Sequence, residues 1–159
     1  MTAALRDQLL EVLDVEERIH LELRQILARE RELMLELDAN GLYELARRKE
    51  ALADEGRLVA EARVLSANRL ARAIGIEEDP VTLSRLCEAL GDEGAPLRDA
   101  QSRLLALVAA AQELAEANRV LGGERLNHVQ ATLHLLGRLL PDVRPEDAGS
   151  AGRLVRTCA

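Results

Sequence analysis

The sequence contains neither tryptophan nor phenylalanine, and Tyr43 is its only tyrosine. Pockets that bind small substrates usually have aromatic walls, so this composition is unusual for an enzyme. A core without aromatic rings is built from leucine, valine, isoleucine and alanine, whose slim side chains interleave between helices. The absence of aromatic residues therefore favours a coiled coil or helical bundle over a catalytic pocket.

Positive charge is outnumbered, because 21 lysines and arginines stand against 28 aspartates and glutamates. Lys49 is the only lysine, and the 159-residue chain, which is long enough for one domain, carries a formal net charge of −7. Nucleic acids require a clustered basic surface, and anionic lipids attract basic amphipathic helices. The charge balance therefore predicts a protein that binds no nucleic acid and does not act at a membrane surface.

Long apolar runs are missing as well. No uninterrupted run approaches the ~20 apolar residues that span a bilayer. The first residues, Met1–Asp7, lack the basic region and apolar centre of a signal peptide. We therefore expect no membrane insertion and a cytoplasmic location.

Motifs that carry chemistry are nearly absent. The two cysteines, Cys87 and Cys158, are far apart, and the sequence has no CxxC pair, glycine-rich phosphate loop, GxSxG or HExxH. One Glu-x-x-His pair, Glu17 and His20, has no second copy of the kind that di-iron bundles use. A helical-bundle metalloenzyme is therefore the weakest hypothesis, and we predict no catalytic residue, no cofactor and no metal site.

Heptad periodicity dominates what is present. From about Thr2 to Asp38, apolar residues recur at steps of three and four, which predicts one long helix with a coiled-coil seam. Glu16 and Glu30 interrupt that seam, so we expect them at its rim or paired with arginine from a neighbouring helix. The predicted seam comprises Leu5, Leu9, Val12, Glu16, Ile19, Leu23, Ile26, Glu30, Leu33 and Leu37.

A short break over Asp38–Gly41 separates this helix from a second, predicted from about Leu42 to Ile74. Because Asn and Gly tolerate left-handed backbone, the break predicts a tight turn and an antiparallel hairpin. A short helix should follow from Pro80 to Leu90, with Asp79 as its N-cap. The predicted fold is all-α: an elongated antiparallel helical hairpin or coiled-coil bundle of three long helices plus one short helix.

The third long helix is predicted from Pro96 to Leu140, and it is the longest. Its first apolar stripe comprises Leu97, Ala100, Leu104, Leu107, Ala111, Leu114, Asn118 and Leu121. We expect Gly122-Gly123 to interrupt it. The stripe resumes out of phase with Leu126, Val129, Leu133, Leu136 and Leu140.

A helix that changes its apolar face has two sets of partners to satisfy. The second stripe is a candidate site for a partner protein; the alternatives are packing within the chain or a homodimer seam. Asn118 is interpreted first as fixing helix register and second as a substrate contact. The predicted domains are a single helical domain over residues 1–140 and a flexible tail over 141–159, which is poor in apolar residues.

Four stretches resemble one protein family. They are Glu22–Glu30 in the first helix, Leu42–Leu52 with its single lysine in the second, Leu114–Leu121 in the third, and the trailing helix with spaced leucines before a loose tail. Together they resemble FlgN, the cytoplasmic chaperone family of flagellar type III export, over about residues 5–140. The resemblance implies that the chain holds the hook-filament junction proteins FlgK and FlgL before secretion.

The resemblance also implies where those partners bind. It assigns the last helix to an amphipathic helix at the carboxyl terminus of FlgK or FlgL, and delivery to the export-gate protein FlhA, helped by a tail tyrosine. The comparable stretch here, Ala148–Gly152, has no tyrosine. The competing hypothesis is a structural coiled-coil adaptor or homodimer without a role in secretion. The predicted partner-binding residues are Leu114, Asn118, Leu121, Leu126, Val129, Leu133, Leu136 and Leu140.

Overall fold

The computed structural model describes residues 1–77 and 81–139, with side chains through residue 135, and this part of the chain is helical with no strand. Three long helices and one short one confirm the predicted all-α class. Their bounds are α1 Thr2–Glu36, α2 Ala39–Ala73, α3 Leu83–Leu90 and α4 Ala95–Leu139, with a 3-10 turn Gly91–Gly94 between α3 and α4.

The turn between α1 and α2 is tighter than predicted. Leu37, expected in the seam, ends α1 with a left-handed backbone (φ 58°), and its side chain is 65% exposed. Asp38 then caps α2, and its Oδ1 accepts a hydrogen bond from the Gly41 backbone N–H at 2.9 Å. Asn40 and Gly41 therefore lie inside α2 rather than in the turn. A Cβ on Gly41 would stand 2.6 Å from Asp38 Oδ2, so a larger residue there would push the capping side chain aside.

The α1–α2 hairpin is antiparallel and buries the predicted seam. Ile19 and Ile26 of α1 pack with Leu52 of α2 in one apolar cluster. The pairing of Glu16 with Arg63 across the two helices confirms the expectation for that carboxylate, with atoms 2.9 Å apart. Burial of these aliphatic side chains contributes about 1.5–3 kcal/mol each.

A larger core lies where the start of α1 meets the end of α2, the short helix α3 and the first half of α4. Its fully buried members are Leu9, Leu13, Leu70, Leu86 and Leu97. All four helices contribute to it, so α3 occupies the fourth position of a four-helix arrangement at this end only. Beyond α3, only three helices remain.

The start of α3 differs from the prediction. Thr82, not Asp79, is its N-cap, and the Thr82 hydroxyl accepts a hydrogen bond from the Arg85 backbone N–H at 3.2 Å. Both Thr and Asp satisfy the free N–H groups of a first turn, so the sequence offered two competing start points. Asp79 and Pro80 lie outside the described residues.

The last helix, predicted as one segment from Pro96 to Leu140, is confirmed as continuous, and Gly122-Gly123 do not break it. Helix α4 continues through both residues to Leu139, because glycine lowers helix propensity by only about 1 kcal/mol per residue and does not forbid the helix. The contacts nevertheless group residues 1–119 into one compact unit and assign the chain from Val120 onward to a second.

Candidate functional site

The second unit presents an uncovered row of aliphatic side chains on α4. Leu126, Val129 and Leu133 are 58%, 46% and 62% exposed. Their spacing of three and four residues places them on one helix face. We call these three residues the ridge. Each exposed aliphatic side chain forgoes about 1.5–3 kcal/mol that burial against a partner would return.

The segment of α4 that carries the ridge is uncharged as well as exposed. Every side chain from Leu126 to Leu135 is exposed, and no Asp, Glu, Lys or Arg occurs between Leu126 and Gly137. The Thr132 hydroxyl donates to the His128 carbonyl oxygen at 3.0 Å, so that polar group is already satisfied within the helix. Covering this face with apolar surface therefore desolvates no charge.

The other predicted site residues lie in different surroundings. Asn118 is buried, at 4% exposure, and Leu114 and Leu121 are half-buried. Leu136 lies within α4, but its side chain is beyond the described part, and Leu140 falls outside the described residues altogether. Of the predicted set, the structure thus places only Leu126, Val129 and Leu133 together as exposed side chains.

Asn118 instead belongs to a buried polar contact that joins three helices, which we call the polar junction. Its Nδ2 donates to the Leu27 carbonyl oxygen at 2.7 Å and to Glu30 Oε2 at 3.0 Å. Lys49 of α2 donates to the other oxygen of Glu30. Because both neighbours of Nδ2 are acceptors, the amide orientation is fixed by its partners. Glu30 is therefore paired, although with lysine rather than the arginine expected.

The polar junction is not fully satisfied within the described part of the chain. Asn118 Oδ1 is buried there without a hydrogen-bond partner. Beside it lies a cavity of about 210 Å³, lined in part by Leu27, Met34 and Ala115. A single buried polar group of this kind favours the one alignment of helices that satisfies it, so the junction is consistent with the predicted register role of Asn118, which stays a prediction.

Arg119 also lines that cavity, but its charge is held on its own helix. Its guanidinium donates to Glu116 at 2.8 and 2.6 Å. These hydrogen bonds lower the pKa of the Glu116 carboxyl below its ordinary value. The pair is exposed to solvent, so it contributes little to the stability of the fold.

Sequence reasoning missed a groove in the first unit, where α1 is flanked by α2 on one side and α4 on the other. Two adjoining cavities of about 370 and 380 Å³ share His20, Leu23 and Lys49. We call the pair the groove. Its remaining walls are mostly aliphatic or small: Ile19, Leu52, Ala53, Gly56 and Ala60 on the α2 side, and Leu27, Val108, Ala111 and Ala115 on the α4 side.

Two polar atoms of the groove residues are buried without a hydrogen-bond partner among the residues that the structure describes. One is Nδ1 of the half-buried His20, and the other is Oε2 of Glu16, which is ion-paired with Arg63. A sequence signal for the α4 wall did exist, because Leu104–Gln112 is uncharged and rich in alanine.

Features of other functional classes are not seen in the described part of the protein. Across residues 1–77 and 81–139, no three His, Cys, Asp or Glu side chains cluster closely enough to hold a metal ion. No helix in those residues combines the length and the apolarity needed to cross a membrane.

Comparison with known proteins gives one match. The sequence model of a family described as FlgN protein matches residues 1–140. No curated protein and no solved structure matches the chain. The family match covers most of the 159 residues. The chain therefore belongs to the FlgN family of flagellar export chaperones.

Proposed function

We propose that this protein binds the carboxyl-terminal amphipathic helix of the hook-filament junction proteins FlgK and FlgL in the cytoplasm, and delivers them to the type III export gate through FlhA. The ridge is the binding surface in this proposal. FlgN chaperones are not known as enzymes, and the proposed role requires only binding and release.

The observation that supports this assignment is the exposure of the ridge on an uncharged segment of α4. An amphipathic helix of an export substrate carries an apolar face that aggregates when left in water. Laying that face on Leu126, Val129 and Leu133 covers both apolar surfaces at once, as in other helix-on-helix recognition. Burial of the three aliphatic side chains contributes about 2 kcal/mol each, and burial of the partner's apolar face adds to this; both offset the cost of association.

The test is co-purification of the full chain with the carboxyl-terminal segment of FlgK, followed by a titration. Leu133→Asp places a carboxylate in the middle of the ridge. The loss of one buried leucine, about 2 kcal/mol, weakens the complex by about 30-fold or more.

Leu65→Asp is the matched control. Leu65 lies on α2 and is 61% exposed, nearly the same as Leu133 at 62%, so both variants add one charge at an equally exposed leucine. The proposal expects full binding by Leu65→Asp and loss by Leu133→Asp. Equal binding by the two variants contradicts it.

A further inference from the structure

The chain carries two surfaces that match each other. One is the ridge, a row of aliphatic side chains on an uncharged segment of α4. The other is the groove, a concave surface with aliphatic and small side chains on its walls. We propose that, before any export substrate is bound, the ridge of one copy seats in the groove of a second copy of this chain.

The dimensions of the two surfaces agree. At 1.5 Å per residue, the uncharged exposed helix from Leu126 to Leu135 is roughly 14 Å long. The groove follows α1 from Glu16 to Leu27, which is roughly 17 Å by the same measure. The alanines and the glycine of its walls leave room for the larger leucine and valine side chains of a guest helix, as in helix packing of knobs into holes.

The electrostatics of the two surfaces agree as well. No charged residue occurs between Leu126 and Gly137, and the charged side chains that line the groove are Glu16, Lys49 and Arg57. Each of the three is already ion-paired, Glu16 with Arg63, Lys49 with Glu30 and Arg57 with Asp54. Seating the ridge therefore buries no new unpaired charge, which is the main cost in most helix docking.

The occupant is another chain because the ridge is exposed within a single chain. A second copy is always present at the protein's own concentration and supplies both surfaces. When two copies exchange ridges, both grooves are filled and the association closes as a symmetric dimer. This arrangement shields the ridge until a substrate helix displaces it, so self-association and substrate binding compete for the ridge.

Sedimentation velocity of the full chain over a range of concentrations tests the proposal. Ala115→Glu introduces a charge on the α4 wall of the groove at an exposed position, and Ala117→Glu is its matched control on the same helix outside the groove. Wild type and Ala117→Glu should dimerise, whereas Ala115→Glu and Leu133→Asp should each dimerise about 30-fold more weakly. Circular dichroism confirms that each variant is folded, and Ala53→Glu on the opposite wall replaces Ala115→Glu if the latter unfolds.

Mixing the two defective variants distinguishes ridge-in-groove contact from a ridge-to-ridge coiled coil. Leu133→Asp retains an intact groove, and Ala115→Glu retains an intact ridge. Their mixture should form a heterodimer through the one intact contact, although neither variant dimerises alone. A wild type that stays monomeric, a mixture that stays monomeric, or an Ala115→Glu variant that dimerises like wild type each overturns the proposal.

The same variants separate this proposal from the chaperone assignment. Ala115→Glu should bind the FlgK segment at least as tightly as wild type, because its ridge is intact and no longer shielded. Binding of that segment by Leu133→Asp contradicts the chaperone site but leaves the dimer result standing. If Ala115→Glu fails to bind the FlgK segment, the groove rather than the ridge receives the substrate helix. That result contradicts the self-association proposed here.

Discussion

Replacing Asn118 by aspartate changes one donor into an acceptor at the polar junction. The Asn118 Nδ2 atom now donates to the Leu27 carbonyl oxygen at 2.7 Å and to Glu30 Oε2 at 3.0 Å. After Asn118→Asp, both hydrogen bonds are lost and a carboxylate faces the carboxylate of Glu30. The lost bonds are worth about 1 kcal/mol for the carbonyl and about 2 kcal/mol for the charged acceptor.

The uncompensated charge adds to this loss, so we expect Asn118→Asp to lower the free energy of unfolding by about 3–5 kcal/mol at pH 7. A domain of this size is stable by about 5–15 kcal/mol, so the effect is large. With a urea slope of about 2 kcal/mol/M, the unfolding midpoint falls by about 2 M. The assay is urea unfolding followed by far-ultraviolet circular dichroism, because the chain has no tryptophan for fluorescence.

Two further variants give the prediction its controls. Asn118→Leu also loses both hydrogen bonds, but it removes the unsatisfied Oδ1 atom and adds about 2 kcal/mol of apolar burial, so its stability should stay within about 1.5 kcal/mol of wild type. The double variant with Asn118→Asp and Glu30→Gln removes the like-charge contact. Its free energy of unfolding should therefore be higher than the value obtained by adding the effects of the two single changes. An Asn118→Asp protein as stable as wild type refutes the buried contact between these two side chains.

Two smaller predictions concern the helices themselves. Gly56→Ala should raise the free energy of unfolding by about 1 kcal/mol in a urea titration, because Gly56 lies inside α2 and a Cβ there stands 3.7 Å from Ile19 Cγ2, an ordinary contact; a lower midpoint contradicts the packing described. In an NMR titration, the Glu116 carboxyl should show a pKa below its ordinary value because Arg119 donates to it, and Arg119→Gln should return it to that value. Because the pKa of Glu116 is lower in the folded chain, the pair stabilises the fold at neutral pH, and this contribution is lost as the pH falls through the lowered pKa.

The seam of the hairpin could be predicted from the sequence because it depends on residues three and four apart in one helix. Ile19, Ile26 and Leu33 are buried as the heptad pattern indicated. The helix ends were less predictable because they depend on local hydrogen bonds for which several residues compete. Leu37 adopts the left-handed backbone that the sequence assigned to Asn40 or Gly41.

The groove and the polar junction could not be predicted, because both combine residues from helices that are distant in sequence. Lys49, Glu30 and Asn118 were each noted separately, but no pattern within one helix indicates that they meet. The ridge lies between these cases. Its spacing is visible in the sequence, whereas its exposure depends on whether another helix covers it.

The position of Lys49 has a practical consequence for anyone who handles the protein. Because it is the sole lysine, a lysine-specific protease has a single place to cut, inside α2 and next to the carboxylate that holds its ammonium group. Cleavage requires local unwinding of the helix, so the rate at which the intact band disappears from a gel measures how often the hairpin opens at that point, without any label or mutation.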